Sequence, residues 1–318
     1  MQIHHPAIAD GYRTDLPERR DVLFTSGKDL CHAWLYLPAG VHAGHSLPIV
    51  VMAHGIGGVK CGGLAPFAER FQAAGYACLV FDYRYFGQSA GTPRELLDIP
   101  SQRADWRAAV TYARSLPQVD PARVIAWGTS FGGGHAIVTA ADDAKIAAAI
   151  VQCPFTDGLA SGLAVSPLTS LKVALLAARD KLAAWARQVP VRVATAGRPG
   201  TAALMTAPDA VAGLNAVNRA SGLPDTPTMV TARAAFQIMF DAPGRRAANV
   251  RCPILYVVCA NDSVAPAKTT LRHAKKSSLS EVCLYPEGHF SIYLGGPFER
   301  NMSDQIEFLR RHVPTSRS

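Results

Sequence analysis

The stretch RVIAWGTSFGGGHAIVTAA, residues 123–141, decides how this chain is read. Arg123 to Trp127 form a short apolar run of the kind found in buried parallel strands, and the pattern breaks sharply at Gly128. Phe131 to Ala141 read as a helix. Between them lies Gly128-Thr129-Ser130-Phe131-Gly132, a G-x-S-x-G in strand–turn–helix context. A turn that tight needs close backbone approach, which the flanking glycines permit. It projects the serine hydroxyl at the carboxyl end of the sheet. The helix behind it offers free N–H groups and a favourable dipole to a developing oxyanion.

The same alternation extends on both sides. Asp21–Ser26 and Leu30–Leu37 read as a hairpin across a turn at Gly27-Lys28-Asp29. PIVVMAHG carries a strand from Ile49 to Ala53, and Leu64 to Ala74 read as a helix stopped by Gly75. Tyr76–Phe81 is a second buried strand. Ser101–Ser115 reads as a helix capped by Ser101, with Trp106, Val110 and Ala113 facing inward. Downstream come strands at Ile146–Gln152, Ile254–Cys259 and Val282–Tyr285, with helices near 267–276 and 298–312. This order predicts an α/β fold, a mostly parallel central sheet with helices on both faces.

The alternation stops near Pro154 and resumes at Cys252-Pro253. The intervening segment is rich in alanine and opens with a strong helix, Ser166 as cap and Pro167 in the first turn. Leu168, Leu171, Leu175, Ala178, Leu182, Trp185 and Val189 recur along it at three- and four-residue spacing. Such a stripe predicts a packing face. A stretch punctuated by proline and glycine follows, then a helix over Arg233–Phe240. We expect residues 157–247 to form an inserted, mainly helical cap on a catalytic domain made of residues 1–156 and 248–318. The segment holds ten Lys/Arg against five Asp. That surplus would either attract an anionic substrate head or carrier, or form a solvated exterior.

A serine nucleophile needs a base, and the base needs a carboxylate to orient it. In this architecture the order along the chain is Ser, Asp/Glu, His. Asp262, in CANDSVAP, follows the strand Ile254–Cys259, and His289, in YPEGHFS, follows Val282–Tyr285. Both occupy strand-end loops, where the chemistry of an open sheet collects. Asp157, just after Ile146–Gln152, is the competing acid; chain order and strand-end position together favour Asp262. The remaining histidines, His4, His5, His32, His42, His45, His135, His273 and His312, lie where no strand end places them and read as surface or packing residues. The oxyanion donors expected are the N–H of Phe131 and that of Ile56, in HGIGG after the strand Ile49–Ala53. His54 then braces that loop, and Cys61 is a bystander.

Composition narrows the classes further. Of 318 residues, 49% are hydrophobic and 18% charged, which excludes dominant disorder. No apolar run reaches the roughly 18–20 residues of a membrane span. MQIHHPAIAD lacks the basic-then-apolar pattern of a secretory signal. Seven scattered cysteines, none in a C-x-x-C, predict reduced thiols and a cytoplasmic setting. The net charge of +8 has no accompanying basic–aromatic patch or nucleic-acid-binding motif. No phosphate-binding loop and no metal-ligand spacing are present, so neither cofactor nor metal is expected.

Taken together, HGIGG, DYRYFGQS, GTSFGG, CANDSVAP and EGHFSIY resemble the α/β-hydrolase superfamily across residues 20 to 312. The resemblance implies a Ser130–Asp262–His289 triad, in agreement with the reading above. YRYFGQS, QCPFTDG and EGHFSIYLGGPFE are similar to a bacterial and fungal group that includes acyltransferases of polyketide biosynthesis beside hydrolases. The expected function is a serine hydrolase cleaving a small-molecule ester or thioester through an acyl-enzyme. An acyltransferase using the same triad is the alternative, and a non-catalytic ligand-binding scaffold the second. Nucleic acid and membrane partners are not expected; a homodimer through the sheet edge is a common arrangement in such folds.

Overall fold

The computed structural model describes residues 18–225 and 228–315. The reading of the first ten residues, with His4 and His5, lies outside the described residues. β1 (Glu18–Ser26) and β2 (Asp29–Leu37) form the expected hairpin, with Gly27 in the left-handed region at φ +59°. β3 (Leu47–Ala53), β4 (Ala77–Phe81), β5 (Val119–Thr129), β6 (Ile146–Gln152), β10 (Ile254–Cys259) and β11 (Ser280–Tyr285) complete an eight-stranded sheet of order β1-β2-β4-β3-β5-β6-β10-β11. β1/β2 and β2/β4 pair antiparallel, and every other pair is parallel.

The central strands are buried on both faces. In β3, Ile49, Val51 and Ala53 join one core layer, while Val50 and Met52 join the other. Each fully buried aliphatic side chain contributes about 1.5–3 kcal/mol, more than a net hydrogen bond, so side-chain burial on two faces outweighs any single ladder bond. Helices α2 (Ile99–Ser115) and α3 (Phe131–Asp142) pack Trp106 and Ile137 on the first face. Helix α8 (Ala267–Ala274) adds Ala274 to the first face, and helices α1 (Ala65–Ala73) and α9 (Gly295–His312) pack Phe67 and Phe308 on the second.

Two local expectations change. Helix α2 begins at Ile99, not Ser101: Asp98 is the cap, and its Oδ2 accepts the Ser101 N–H at 3.0 Å. Pro100 is compatible with a first helical turn, so the start moves upstream to the nearest side-chain acceptor. Strand β5 does not break at Gly128 but pairs with β6 through Thr129.

Between β6 and β10 the chain forms α4 (Gly158–Gly162), α5 (Pro167–Trp185), β7 (Arg192–Ala196), β8 (Ala203–Met205), α6 (Ala210–Ala220), β9 (Met229–Thr231) and α7 (Ala234–Phe240). β8, β7 and β9 form a second, three-stranded sheet that the sequence reading did not contain. Ser166 caps α5 as expected, its Oγ accepting the Thr169 N–H.

The apolar stripe of α5 does not pack inward. Leu168, Leu171, Leu175 and Leu182 are each more than half exposed, and Trp185 is 87% exposed. The buried face instead carries Thr169, Val173, Ala177, Asp180 and Ala183. Asp180 explains the orientation. Its carboxylate, wholly buried, accepts the Val191 N–H at 2.8 Å, the Arg233 N–H at 2.9 Å and the Arg233 guanidinium at 2.8 Å. Turning the leucines inward would forfeit those bonds, and breaking a buried, hydrogen-bonded ion pair costs about 3–5 kcal/mol.

Candidate active site

Ser130 joins β5 to α3 with φ +53° and ψ −120°, a backbone state that costs a non-glycine residue about 1–3 kcal/mol. Two glycines make it possible. A Cβ on Gly128 would sit 2.1 Å from the Gly132 carbonyl oxygen, and one on Gly132 would sit 2.5 Å from that of His54. The turn is also tethered, since the Ser130 N–H donates to the Gln152 carbonyl at 2.8 Å.

Beneath it lies a buried polar network that sequence reading missed. Gln152 Nε2 donates to Thr129 Oγ1 at 3.3 Å, and Asn301 Nδ2 to Gln152 Oε1 at 2.6 Å. Gln305 Nε2 donates to Asn301 Oδ1 at 2.6 Å, and Trp127 Nε1 to Gln305 Oε1 at 2.7 Å. A satisfied network of this kind fixes the elbow against α9. Its only trace in the sequence is Asn301 and Gln305 one helical turn apart on an otherwise apolar helix face.

The structure brings Ser130, His289 and Asp262 into one hydrogen-bonded chain. His289 Nδ1 lies 2.7 Å from Asp262 Oδ2, and Nε2 lies 3.1 Å from Ser130 Oγ. An ionised carboxylate only accepts, so Nδ1 carries the proton and Nε2 is free to receive one from the serine. Asp262 Oδ1 accepts the Val264 and Ala265 N–H groups at 2.8 and 2.6 Å, which orients the carboxylate. Asp157, the competing acid, is elsewhere: it caps α4 by accepting the Ala160 N–H at 3.0 Å, and its other oxygen is 3.9 Å from His273 Nε2.

The β3–α1 loop lies against the serine, since a Cβ on Gly55 would be 3.0 Å from Ser130 Cβ. The N–H groups of Ile56 and Phe131 find no acceptor among the described residues. His54 is buried and donates Nδ1–H to the Gly55 carbonyl at 2.9 Å. Burial lowers its basicity, partly offset by Asp82, so it stays a neutral brace. A second tie was not foreseen. Lys60, wholly buried, gives its backbone N–H and its ammonium to the Asp82 carboxylate at 2.6 and 2.7 Å, linking HGIGG to DYRYFGQS.

Cys153 Sγ shares a 4.8 Å cluster with ligand atoms of Asp262 and His289. It is a poor metal ligand set: the histidine and carboxylate already bond each other, and the Cys259 thiol 3.2 Å away, with burial, pushes the Cys153 pKa up.

Ser130 stands between two cavities. One, about 150 Å³, is lined by apolar groups including Phe131, Phe155, Val173, Leu204, Phe236 and Ile238. The other, about 80 Å³, is lined on the far side by His54, Leu214, His289, Phe290 and Tyr293. Ile56, Ser130 and Met205 border both. Among the described residues no Lys, Arg, Asp or Glu lines either one. The surplus positive charge of the 157–247 segment is therefore not turned toward the serine.

Comparison with known proteins agrees with this fold and with a hydrolase family. Residues 44–293 match the Hydrolase_4 family model, described as serine aminopeptidase, S33. The chain is 51% identical over 294 residues to the quorum-quenching protein AidA of Acinetobacter baumannii, covering 92% of this chain and 95% of that one. It is 28% identical to the thiohydrolase aneE of Aspergillus aculeatus, over 83% of this chain and 85% of that one. The crystal structure of the α/β hydrolase GrgF from Penicillium superposes with a TM-score of 0.78 at 24% identity, over 93% of this chain and 99% of that one. A polyketide transferase of the same name is 27% identical over 93% of this chain and 97% of its own length. The chain belongs to the Hydrolase_4 family of α/β-fold serine hydrolases.

Proposed function

We propose that Ser130, His289 and Asp262 hydrolyse an ester or thioester of an uncharged, apolar acyl group. The observation that carries this reading is the Ser130–His289–Asp262 hydrogen-bond chain opening directly onto an apolar cavity. His289 takes the Ser130 proton as Oγ adds to the acyl carbon, and Asp262 stabilises the resulting imidazolium. The Ile56 and Phe131 N–H groups hold the tetrahedral oxyanion, each contributing about 2.7–4 kcal/mol to lowering the barrier. His289 then protonates the leaving alcohol or thiol. Water, deprotonated by the same imidazole, releases the acid and returns the proton to Ser130.

The larger cavity is the acyl site in this reading, and the smaller one holds the leaving group. Residues 157–247 act as a cap, since α4, α5, β8 and α7 contribute much of the larger cavity's wall. An aminopeptidase reaction is disfavoured: a free α-ammonium needs a carboxylate, and neither cavity offers one. Seven free cysteines support a reducing, cytoplasmic setting.

The smaller cavity also favours a second reading. It could seat an alcohol, amine or thiol acceptor in place of water, giving acyl transfer through the same acyl-enzyme. Pre-steady-state release of p-nitrophenol from medium-chain acyl esters separates the two. A burst followed by steady turnover, both absent in Ser130→Ala, is the hydrolase outcome. A stoichiometric burst that stalls until an acceptor is added is the transferase outcome. No burst and no reaction with serine-directed phosphonates would leave only a binding scaffold.

A further inference from the structure

We infer that the outward face of α5 docks the protein onto an anionic lipid surface. Leu168, Leu171, Leu175, Leu182 and Trp185 lie on one helix of 19 residues, more than half exposed throughout. Soluble monomers rarely leave so continuous an apolar patch uncovered. Helices α4 and α7 pack together and α7 also packs on α5. Leu163, just past the end of α4, is 88% exposed, and Phe240, the last residue of α7, is 75% exposed.

Charge identifies the occupant. Lys172, Arg179 and Lys181 are exposed on α5, Lys172 with its ammonium on the Gly200 carbonyl and Lys181 with its own over the Phe236 ring, and the exposed Arg187 follows the helix end. The one acidic residue of the helix, Asp180, is buried against Arg233. Arg179 and Arg187 have no carboxylate partner among the described residues. Leucine and tryptophan on one face, bordered by lysine and arginine, is the composition of helices that lie in a lipid interface. A second copy fits less well. Antiparallel pairing of the 168–185 seam about its centre sets Lys172 level with the Lys181 of the copy and within a turn of its Arg179, twice, with no carboxylate on the exposed side of the helix to offset the repulsion.

The cavity behind the helix gives the surface a purpose. Ser170, Val173 and Ala174, on the inward side of α5, line the uncharged apolar cavity beside Ser130. A lipophilic ester or thioester partitions into bilayers, and docking by α5 brings the cavity to it. That purpose rests on the function proposed above; the binding itself does not. The absence of a helix long and apolar enough to cross a membrane, among the described residues, has no bearing on docking from one side.

Flotation with vesicles of equimolar phosphatidylcholine and phosphatidylglycerol tests it. The full chain floats with these vesicles, at least about fivefold less with pure phosphatidylcholine, and less as salt is raised. Leu171→Ser/Leu182→Ser lowers the bound fraction about tenfold, and Arg179→Glu/Arg187→Glu lowers it comparably. Both variants keep p-nitrophenyl ester turnover in vesicle-free buffer, and Ser130→Ala still floats, so loss of docking and loss of catalysis are read separately. Wild-type protein that stays unbound, or variants that float as well as wild type, overturns the inference. So does a wild-type dimer that Leu171→Ser/Leu182→Ser converts to monomer, which assigns the face to a second copy.

Discussion

Helices α3 and α5 are both rich in apolar residues, yet they serve opposite sides of the molecule. Of the 12 residues of α3, ten are buried between the sheet and its neighbours. Of the 19 residues of α5, five are buried, while Leu168, Leu171, Leu175 and Leu182 face out and only Leu176 packs partly against the core. Burial of α3 fixes Ser130 at a strained turn, because a helix packed on every side cannot relax around it. Helix α5 buries small side chains and one paired carboxylate, which shapes a cavity wall while leaving an apolar exterior. Hydrophobic content therefore does not measure burial; the placement of a single charge decides which face turns inward.

The comparison breaks first at the acids that belong to the two regions. Asp262 lies in the loop after β10 of the main sheet, and Asp262→Asn should cost about 10⁴ in kcat, as removal of a triad acid's charge does elsewhere. Asp157 opens the segment between β6 and β10, and Asp157→Asn should leave kcat within a few fold. If Asp157→Asn does the greater damage, the carboxylate has been assigned to the wrong region.

Stability sharpens the contrast between the helices. Ile137→Ala in α3 should destabilise by about 2–5 kcal/mol in urea titration, the cost of a cavity in a packed core. A loss under about 1 kcal/mol would show that α3 is not held as tightly as its burial indicates.

The pH dependence of unfolding probes the same helix. His135 is buried in α3, its Nε2 2.9 Å from Gln102 Oε1, and burial, with Arg103 and His54 adding to it, lowers its pKa to about 3. The unfolded chain binds this proton near pH 6.5 and the folded chain does not, so the native state is favoured fully above that pH. Its contribution is lost as pH falls from about 6.5 toward 3, at about 1.4 kcal/mol per pH unit. His135→Gln should flatten that slope in thermal melts; an unchanged slope would mean that the imidazole takes up its proton without unfolding. The smallest effect belongs to α5. Leu182→Ala should change stability by no more than about 0.5 kcal/mol, as exposed sites do.

Much of this was legible in the residues. The strand-end positions of Ser130, Asp262 and His289 follow from chain order, and the structure brings the three together. The eight-stranded sheet follows from alternating apolar runs and helical periods. The direction of the α5 stripe was not legible, because periodicity defines a face without saying where it points. Asp180 carried the clue, but its partner Arg233 is 53 residues away and is joined to it only by the fold. β7, β8 and β9, of three to five residues each, are too short for alternation to register. The network of Gln152, Asn301 and Gln305 unites residues about 150 apart; the Asn301–Gln305 spacing on α9 hints at a polar pair, but nothing local points to Gln152.

The most direct test of the account is to quench the protein during turnover of a p-nitrophenyl acyl ester and map the acylated peptide by mass. Wild type should carry one acyl group on the Ser130 hydroxyl, accumulating further in His289→Ala only with an ester activated enough to react without a base. Ser130→Ala should carry none. An acyl group found on Cys61 or any other side chain, or turnover that persists in Ser130→Ala at the wild-type rate, would contradict it.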